Sequence, residues 1–387
     1  MTGMGGRRFP EMVAEVLRNT HFNLMREKTP VKPKTFDTMQ DEKFLRAIAI
    51  SDQGWRPAPE KIKAQKAIPI DVRLRREGIY HFEETIHQQP KEWLIKTFGP
   101  GREYPVNVNK LIKNIIWQAR NKIVKDKQPP IKGLIRSFWY SHIKPALARC
   151  DSLSQDTDQY SQMIKMFVRL IEYCDFLRYK DFGFVDENQH DRKIGINNHI
   201  IFFAEKAGHY PLLEEIAQTT DVTILSLGGQ PSLLSAEYFV DELKAQGIDV
   251  RKSFYTFSLV DYDPSGWIIR DAFLNDLKFF GLKHIQHQDL ILPEIFTAEE
   301  IELNKFPLRT PKEMEAKNKK WLKESGGING ELYGLEADAV PVPRISQLFI
   351  PKIKDLIEST EDIRKGRALK DLAQALEKYI LARLQNE

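Results

Sequence analysis

Cysteine is almost missing from this chain. Cys150 and Cys174 are the only two in 387 residues. That excludes a disulfide-stapled scaffold and points to a reducing compartment. Long apolar runs are missing too. None reaches the ~18–20 residues that a membrane span requires, so no membrane partner is expected. Arg7 and Arg8 stand near the start, but no apolar stretch follows them, and no signal peptide is predicted. There is no internal repeat and no low-complexity tract. A Gly-x-x-x-x-Gly-Lys phosphate loop is absent, as is a glycine-rich ATPase lid, so ATP hydrolysis is not expected of this chain. Net charge is small, at +4.

What is present is an ordinary globular composition, 42% hydrophobic, with length enough for two or three domains. The charge is unevenly spread. Lys110, Lys113, Arg120, Lys122, Lys125, Lys127, Lys132, Arg136, Lys144 and Arg149 fall in one stretch with Asp126 as its only acid. Such a stripe is either an electrostatic footprint for phosphates or a solvated helix face.

Three regions follow from the texture. Residues 1–105 are broken by Pro30, Pro33, Pro57, Pro59 and Pro69 and predict an arm of short helices and loops. Residues 106–190 read as helical. Leu111, Ile112, Ile115, Ile116 and Ala119 recur at helical spacing from Val106 to Ile123. A helix over Gly133–Leu147 is followed by a second one, capped by Asp156 or Thr157 and carrying Met163, Phe167, Leu170 and Ile171. Phe182, Phe184 and Val185 then suggest a strand. Helix, turn, helix and β wing is the order of a winged helix, a fold that usually binds DNA.

Residues 191–387 change to α/β, with a helical extension at the end. Apolar strands are expected at His199–Ala204, Val222–Leu227 and Phe254–Val260. Helices are expected at Tyr210–Thr219, Ser235–Gln246 and Ser265–Phe280. This alternation predicts a mostly parallel, Rossmann-like sheet covered on both faces, with ligands at the carboxyl ends of its strands.

Three acids fall at those ends. Glu205 follows the first strand, and Asp261 and Asp263 follow the third, with Pro264 and Gly266 supplying a turn. Hard cations such as Mg²⁺ take carboxylate oxygens of this kind. The bland alternative is a surface turn in which the acids cap backbone groups.

These segments carry a resemblance. Phe203-Ala204-Glu205-Lys206-Ala207-Gly208 resembles the strand-Glu-Lys signature of Toprim domains. Leu227-Gly228-Gly229-Gln230-Pro231 is similar to their next glycine-rich turn. Leu259-Val260-Asp261-Tyr262-Asp263-Pro264-Ser265-Gly266 resembles the Asp-x-Asp-Pro-x-Gly signature of the type IIB topoisomerase (topoisomerase VI) A subunit and its meiotic double-strand-break relatives. Gly330–Glu336 resembles a Glu-x-x-Ala-Leu region that follows in that family, with Tyr333 and Gly334 departing from it. The likeness spans roughly 131–355 and leaves 1–100 uncovered.

That resemblance implies a winged-helix domain followed by a Toprim domain, with Mg²⁺ at Glu205, Asp261 and Asp263. It implies cleavage of both DNA strands through a 5′-phosphotyrosyl intermediate. Arg136 and Trp139-Tyr140 match the family's Arg-then-aromatic-pair pattern, which makes Tyr140 the nucleophile and Arg136 the clamp on the phosphate. The alternative for Tyr140 is a packed aromatic. Tyr80, behind Arg75 and Arg76, lies too far upstream to replace it. About 65 residues separate Tyr140 from Glu205, so a short link after Asp186 and a trimmed winged helix are expected.

Lys132, Lys144, Arg149 and Lys206 are the candidate DNA contacts. Double-stranded DNA, a second copy of the chain and a GHKL ATPase B-type subunit are the implied partners. The implied location is the nucleoid of a prokaryotic cytoplasm or a eukaryotic nucleus. The competing reading is a hydrolytic Toprim nuclease of the plasmid-defence type, which uses the acids and water and not the tyrosine. A non-catalytic DNA-binding module would have no need of three acids aimed at phosphates.

Overall fold

The computed structural model describes residues 68–154, 158–228, 233–308 and 312–359, together with positions 372, 375 and 376. The expectations for residues 1–67, for caps at Asp156 and Thr157, and for Gly229, Gln230 and Pro231 lie outside the described residues.

The first half is helical. It contains α1 (Ile70–Arg76), α2 (Lys91–Phe98) and α3 (Val108–Val124). Asn107 begins α3 by accepting a hydrogen bond from the Lys110 amide, a cap in place of a missing backbone acceptor. The apolar face of α3, including Leu111, Ile112, Ile115 and Ile116, is fully buried. Two buried amides on the same helix organise the loop before it. Asn114 accepts from Tyr80 N and donates to Gly78 O, and Gln118 accepts from Ile86 N and donates to the carbonyls of Phe82 and Glu84. A loop with little regular structure thereby has several of its backbone polar groups paired. Ile79, Ile86, Leu94 and Phe98 share one core with residues 106–184, so the described part of the arm packs into the helical unit.

The helix expected over Gly133–Leu147 runs as α4 (Ile135–Phe138), a five-residue π segment (Trp139–Ile143) and α5 (Lys144–Arg149). Pro145 sits just beyond the widened turn. It lacks the N–H that a regular helix would send back to Ser141. The next helix, α6 (Gln159–Val168), is capped by Asp158 and passes into a second π segment at Arg169–Tyr173. The predicted strand at Phe182–Val185 does not form. Tyr179–Phe182 is a short 3₁₀ turn, and Phe182 and Phe184 stack on each other within the core. Two backbone bonds, Ile131 N to Phe182 O and Val185 N to Gly133 O, are what the expected wing amounts to.

The second half is a five-stranded sheet. Its strands are β1 (Arg192–Lys193), β2 (Asn197–Ala204), β3 (Val222–Ser226), β4 (Ser253–Leu259) and β5 (His284–Asp289), in the order β1-β3-β2-β4-β5. β1 is antiparallel to β3, and the other pairings are parallel. One face is covered by α7 (Tyr210–Thr220) and α12 (Val342–Ser359), the other by α8 (Leu233–Ala245) and α9 (Pro264–Phe280). Between β5 and α12 come α10 (Ala298–Asn304), α11 (Lys312–Ser325) and the two-residue strands β6 (Phe306–Pro307) and β7 (Tyr333–Gly334). Both faces of the sheet are covered, as a run of apolar strands requires.

The two halves are tied together by polar bonds as well as packing. Glu237 on α8 accepts the backbone amides of Tyr179 and Lys180, and Tyr238 donates to Phe184 O at 2.6 Å. Asp186 accepts from Ser235 and pairs with Arg192.

Candidate active site

The site is built where β2 and β4 end side by side. Ala204 pairs with Leu259 in the last parallel step, and the Glu205 amide adds one more bond to Leu259 O at 3.1 Å. Glu205 therefore leaves the sheet at its carboxyl edge, next to the point where β4 gives way to Val260-Asp261. A short segment from far along the chain closes over that point. Tyr262 and Leu335 exchange backbone bonds of 2.8 and 3.2 Å, and the Ala337 amide donates to Asp261 Oδ1 at 2.8 Å. Tyr262 is buried beneath and donates to the carbonyls of Ser325 and Gly327.

Asp263 begins α9. Its side chain accepts from Gly266 N at 2.7 Å, and Pro264 occupies the first helical position, where its missing N–H costs nothing. Gly266 is there for space. A Cβ on it would stand 2.3 Å from the Asp261 carbonyl oxygen, so the turn that brings Asp261 and Asp263 to one edge admits no side chain at 266. The Asp-x-Asp-Pro-x-Gly spacing has a steric cause at its glycine.

The three carboxylates have different surroundings. Glu205 Oε2 is buried and has no hydrogen-bond partner. Burial, then the charges of Asp261 and Asp263, push the Glu205 carboxyl up to about 7. Asp263 is also raised, by burial first, against the hydrogen bond from Gly266. Asp261 keeps one oxygen on Ala337 N and has Lys206 Nζ 3.3 Å from the other. Among the described residues, no group of three His, Cys, Asp or Glu side chains converges as a ready ligand set. Asp261 is engaged by Lys206, and Asp263 by the helix it caps.

Lys206, expected to contact DNA, is paired with Asp338 at 2.7 Å as well as with Asp261. His209 Nε2 lies 2.7 Å from the other oxygen of Asp338. Neither Asp338 nor His209 was singled out by the sequence. His209 had a signal in its place four residues after Glu205, whereas Asp338 had none, being 132 positions from Lys206. A further acid, Asp289, ends β5 on the same edge. It is committed to Arg270, His287 and Ser258 in a buried network, and although burial opposes it, Arg270 holds Asp289 well below the usual carboxylate range.

Tyr140 stands on the π segment in the helical half. Its side chain is 51% exposed, while Phe138, Trp139 and Ile143 beside it are buried. Lys144 Nζ lies 5.2 Å from the Tyr140 ring centre. Arg136 is exposed four residues earlier. Tyr160 packs edge-on against Trp139, and burial pushes its hydroxyl up, with Arg136 opposing and Tyr140 adding to the effect. Arg136 and Tyr140 therefore share the neighbourhood of Tyr160. Underneath, His142 stacks on Phe138 and meets His87, each at 4.5 Å between ring centres. Burial, then His87 and Lys122, bring His142 down to about 4.

The basic stripe is divided in its partners: Lys110 Nζ lies over the Tyr80 ring and Lys122 donates to Thr85 Oγ1. Lys113 pairs with buried Glu77, Arg120 with Asp181, and Arg149 donates to the carbonyls of His87 and Gln89. Lys125, Lys127, Lys132, Arg136 and Lys144 are exposed. Tyr140 and the three acids belong to different halves, the first beside the helical core and the others at the sheet edge. No protein-family model matches the chain, and no curated protein matches it.

Proposed function

We propose that this protein cleaves double-stranded DNA by tyrosine transesterification, in the manner of the topoisomerase VI A subunit, with Mg²⁺ held by Glu205, Asp261 and Asp263. The observation that carries the reading is Glu205. It is a carboxylate at the carboxyl edge of a parallel sheet, with one buried oxygen lacking any partner and two more acids close enough to raise its pKa. An acid crowded by two others, with a buried oxygen that has no partner, is costly in such a place, and a hard cation relieves it. When bound, Mg²⁺ supplies stabilisation of negative charge on the phosphate and on the departing oxygen.

The chain's own residues do the rest. Tyr140 Oη gives up its proton to solvent and attacks the phosphorus, the bond to the 3′ oxygen breaks, and that oxygen takes up a proton from solvent. The product is a 5′-phosphotyrosyl link that stores the bond for resealing. Arg136 holds the phosphate with its planar fork. Exposed Lys132 and Lys144 track the neighbouring backbone phosphates. A homodimer fits the task, because two cuts on opposite strands need two sites related by the two-fold axis of DNA. Strand passage would need an ATPase partner of the B-type.

Hydrolysis by the acids alone is the second reading. It is favoured by the acid–lysine cluster, whose bonds are made among residues of the sheet half without Tyr140. Supercoiled plasmid and Mg²⁺ decide between them. Transesterification predicts cut DNA that enters a gel normally only after protease treatment, and no such product from Tyr140→Phe. Cut DNA free of protein, made equally well by Tyr140→Phe, would leave hydrolysis.

A further inference from the structure

Lys206 sits where a cation is needed. Its ammonium is 3.3 Å from Asp261 Oδ2 and 2.7 Å from Asp338 Oδ2. The remaining oxygen of Asp261 is held by the Ala337 amide. One short turn thus supplies both the anchor for Asp261, through Ala337, and the second carboxylate for the lysine, through Asp338. Asp338 is steadied in turn by His209 Nε2 at 2.7 Å. His209 Nδ1 is buried with no partner. A carboxylate only accepts, so Nε2 is the nitrogen that donates to Asp338. The side chain of Asp338 is 56% exposed and that of Asp261 16%, so the lysine bridges an inner and an outer carboxylate.

We propose that Lys206 is a built-in counter-ion of the acid cluster, and that Asp338 is the carboxylate which keeps it when a divalent cation takes Asp261. The inference rests on the reading of Glu205 and Asp261 as cation ligands. An ammonium and a divalent cation cannot share one carboxylate oxygen without strong repulsion. Without Asp338 the lysine would have Asp261 alone and would compete harder for it. With Asp338 it has a second resting place 2.7 Å away, at the rim of the site, where its charge faces an incoming phosphate. Lys206 and Asp338 are positioning residues in this scheme. They set how readily the cluster accepts its cation.

The test is Mn²⁺ binding to the full chain without DNA, followed by electron paramagnetic resonance at fixed pH and salt, with thermal midpoints recorded for each variant. Glu205→Gln should lose the bound ion. Lys206→Met should bind it about tenfold more tightly, the size of effect expected from removing one adjacent charge. Asp338→Asn should bind it several-fold more weakly. Lys206→Met with Asp338→Asn should match Lys206→Met alone, because Asp338 acts through the lysine. If the double variant is weaker than Lys206→Met, Asp338 attracts the ion directly and its assigned role is wrong. If Lys206→Met binds as wild type while Glu205→Gln loses the ion, the counter-ion role is overturned and the cation site stands. If Glu205→Gln leaves Mn²⁺ binding unchanged, the cation site and the counter-ion both fall.

Discussion

The two halves of the molecule present their chemistry in opposite ways. In the helical half, Tyr140 is exposed above a floor of buried rings. Among the described residues, none makes a hydrogen bond to its hydroxyl. In the sheet half, the acids are crowded. Glu205 is partly buried without a partner at one oxygen, Asp261 is tied to Lys206, and Asp263 holds the start of α9. A nucleophile on a rigid helix can be removed at little cost to the fold. A charge cluster at the end of a sheet cannot be altered without changing stability. The proposed function therefore predicts similar losses of activity from the two halves but different losses of stability.

The largest effect expected is on cleavage. Tyr140→Phe and Glu205→Gln should each reduce plasmid cutting by at least about a hundredfold. Their stabilities should part. Tyr140→Phe should stay within about 0.5 kcal/mol of wild type, as exposed substitutions do. Glu205→Gln should be more stable than wild type at pH 8, where the buried carboxylate is charged and lacks a partner. Asp263→Ala should lose about 1 kcal/mol with its cap, on top of the activity. Urea unfolding beside the cleavage assay reads both, and a Glu205→Gln protein that is less stable than wild type at pH 8 would contradict this account of the cluster.

Acid and base should act on the halves in opposite directions. His142 is held down to about 4 from its ordinary 6.5. The unfolded chain then binds the extra proton between those values, so this contribution is full above pH 6.5 and is lost as pH falls toward 4. Glu205 is raised to about 7 from 4.5. Here the folded chain binds the extra proton, so stability is greatest below pH 4.5 and falls as pH rises to 7. Compared with wild type, His142→Gln should flatten the acid limb of the stability profile and Glu205→Gln the neutral limb. Denaturation midpoints between pH 4 and 8 will show it, and a change on the same limb from both variants would refute the assignment.

The smallest effects concern DNA affinity. Lys132→Ala and Lys144→Ala should each weaken binding uniformly and lower the salt slope by about one unit. Arg149→Ala should instead lower thermal stability, because its guanidinium serves the carbonyls of His87 and Gln89. Fluorescence anisotropy over a range of salt separates these cases; an unchanged slope for Lys132→Ala and Lys144→Ala would remove that face from the DNA path.

Much of the sheet was legible because its central strands are buried on both faces and so read as unbroken apolar runs, β2 above all. The edges were not. β5 reads His-Ile-Gln-His-Gln-Asp, and its His287 and Asp289 are held by a network with Arg270, Ser258 and Thr256 that no local pattern announces. The wing was misread for a related reason. Phe182 and Phe184 look like strand residues, but both rings are spent on the helical core, and the backbone there turns. In the site, Glu205, Asp261 and Asp263 were legible from strand ends and turn residues. Asp338 was not, because its meaning lies in a partner brought in by the Tyr262–Leu335 bridge. The bonds of Arg149, a candidate DNA contact, to the carbonyls of His87 and Gln89 were not legible either, because sequence does not show which carbonyls a helix end will face.

On the proposed function, Tyr140 and the acid cluster serve one reaction, divided between two copies of the chain. Mixing Tyr140→Phe protein with Glu205→Ala protein tests it most directly. Neither should cut alone. A mixed dimer with sites shared across the interface has one doubly defective site and one intact site, so single-strand nicks with protein covalently attached should appear. If the mixture stays inert while the dimers demonstrably exchange subunits, the two halves do not cooperate across chains, and the account is contradicted.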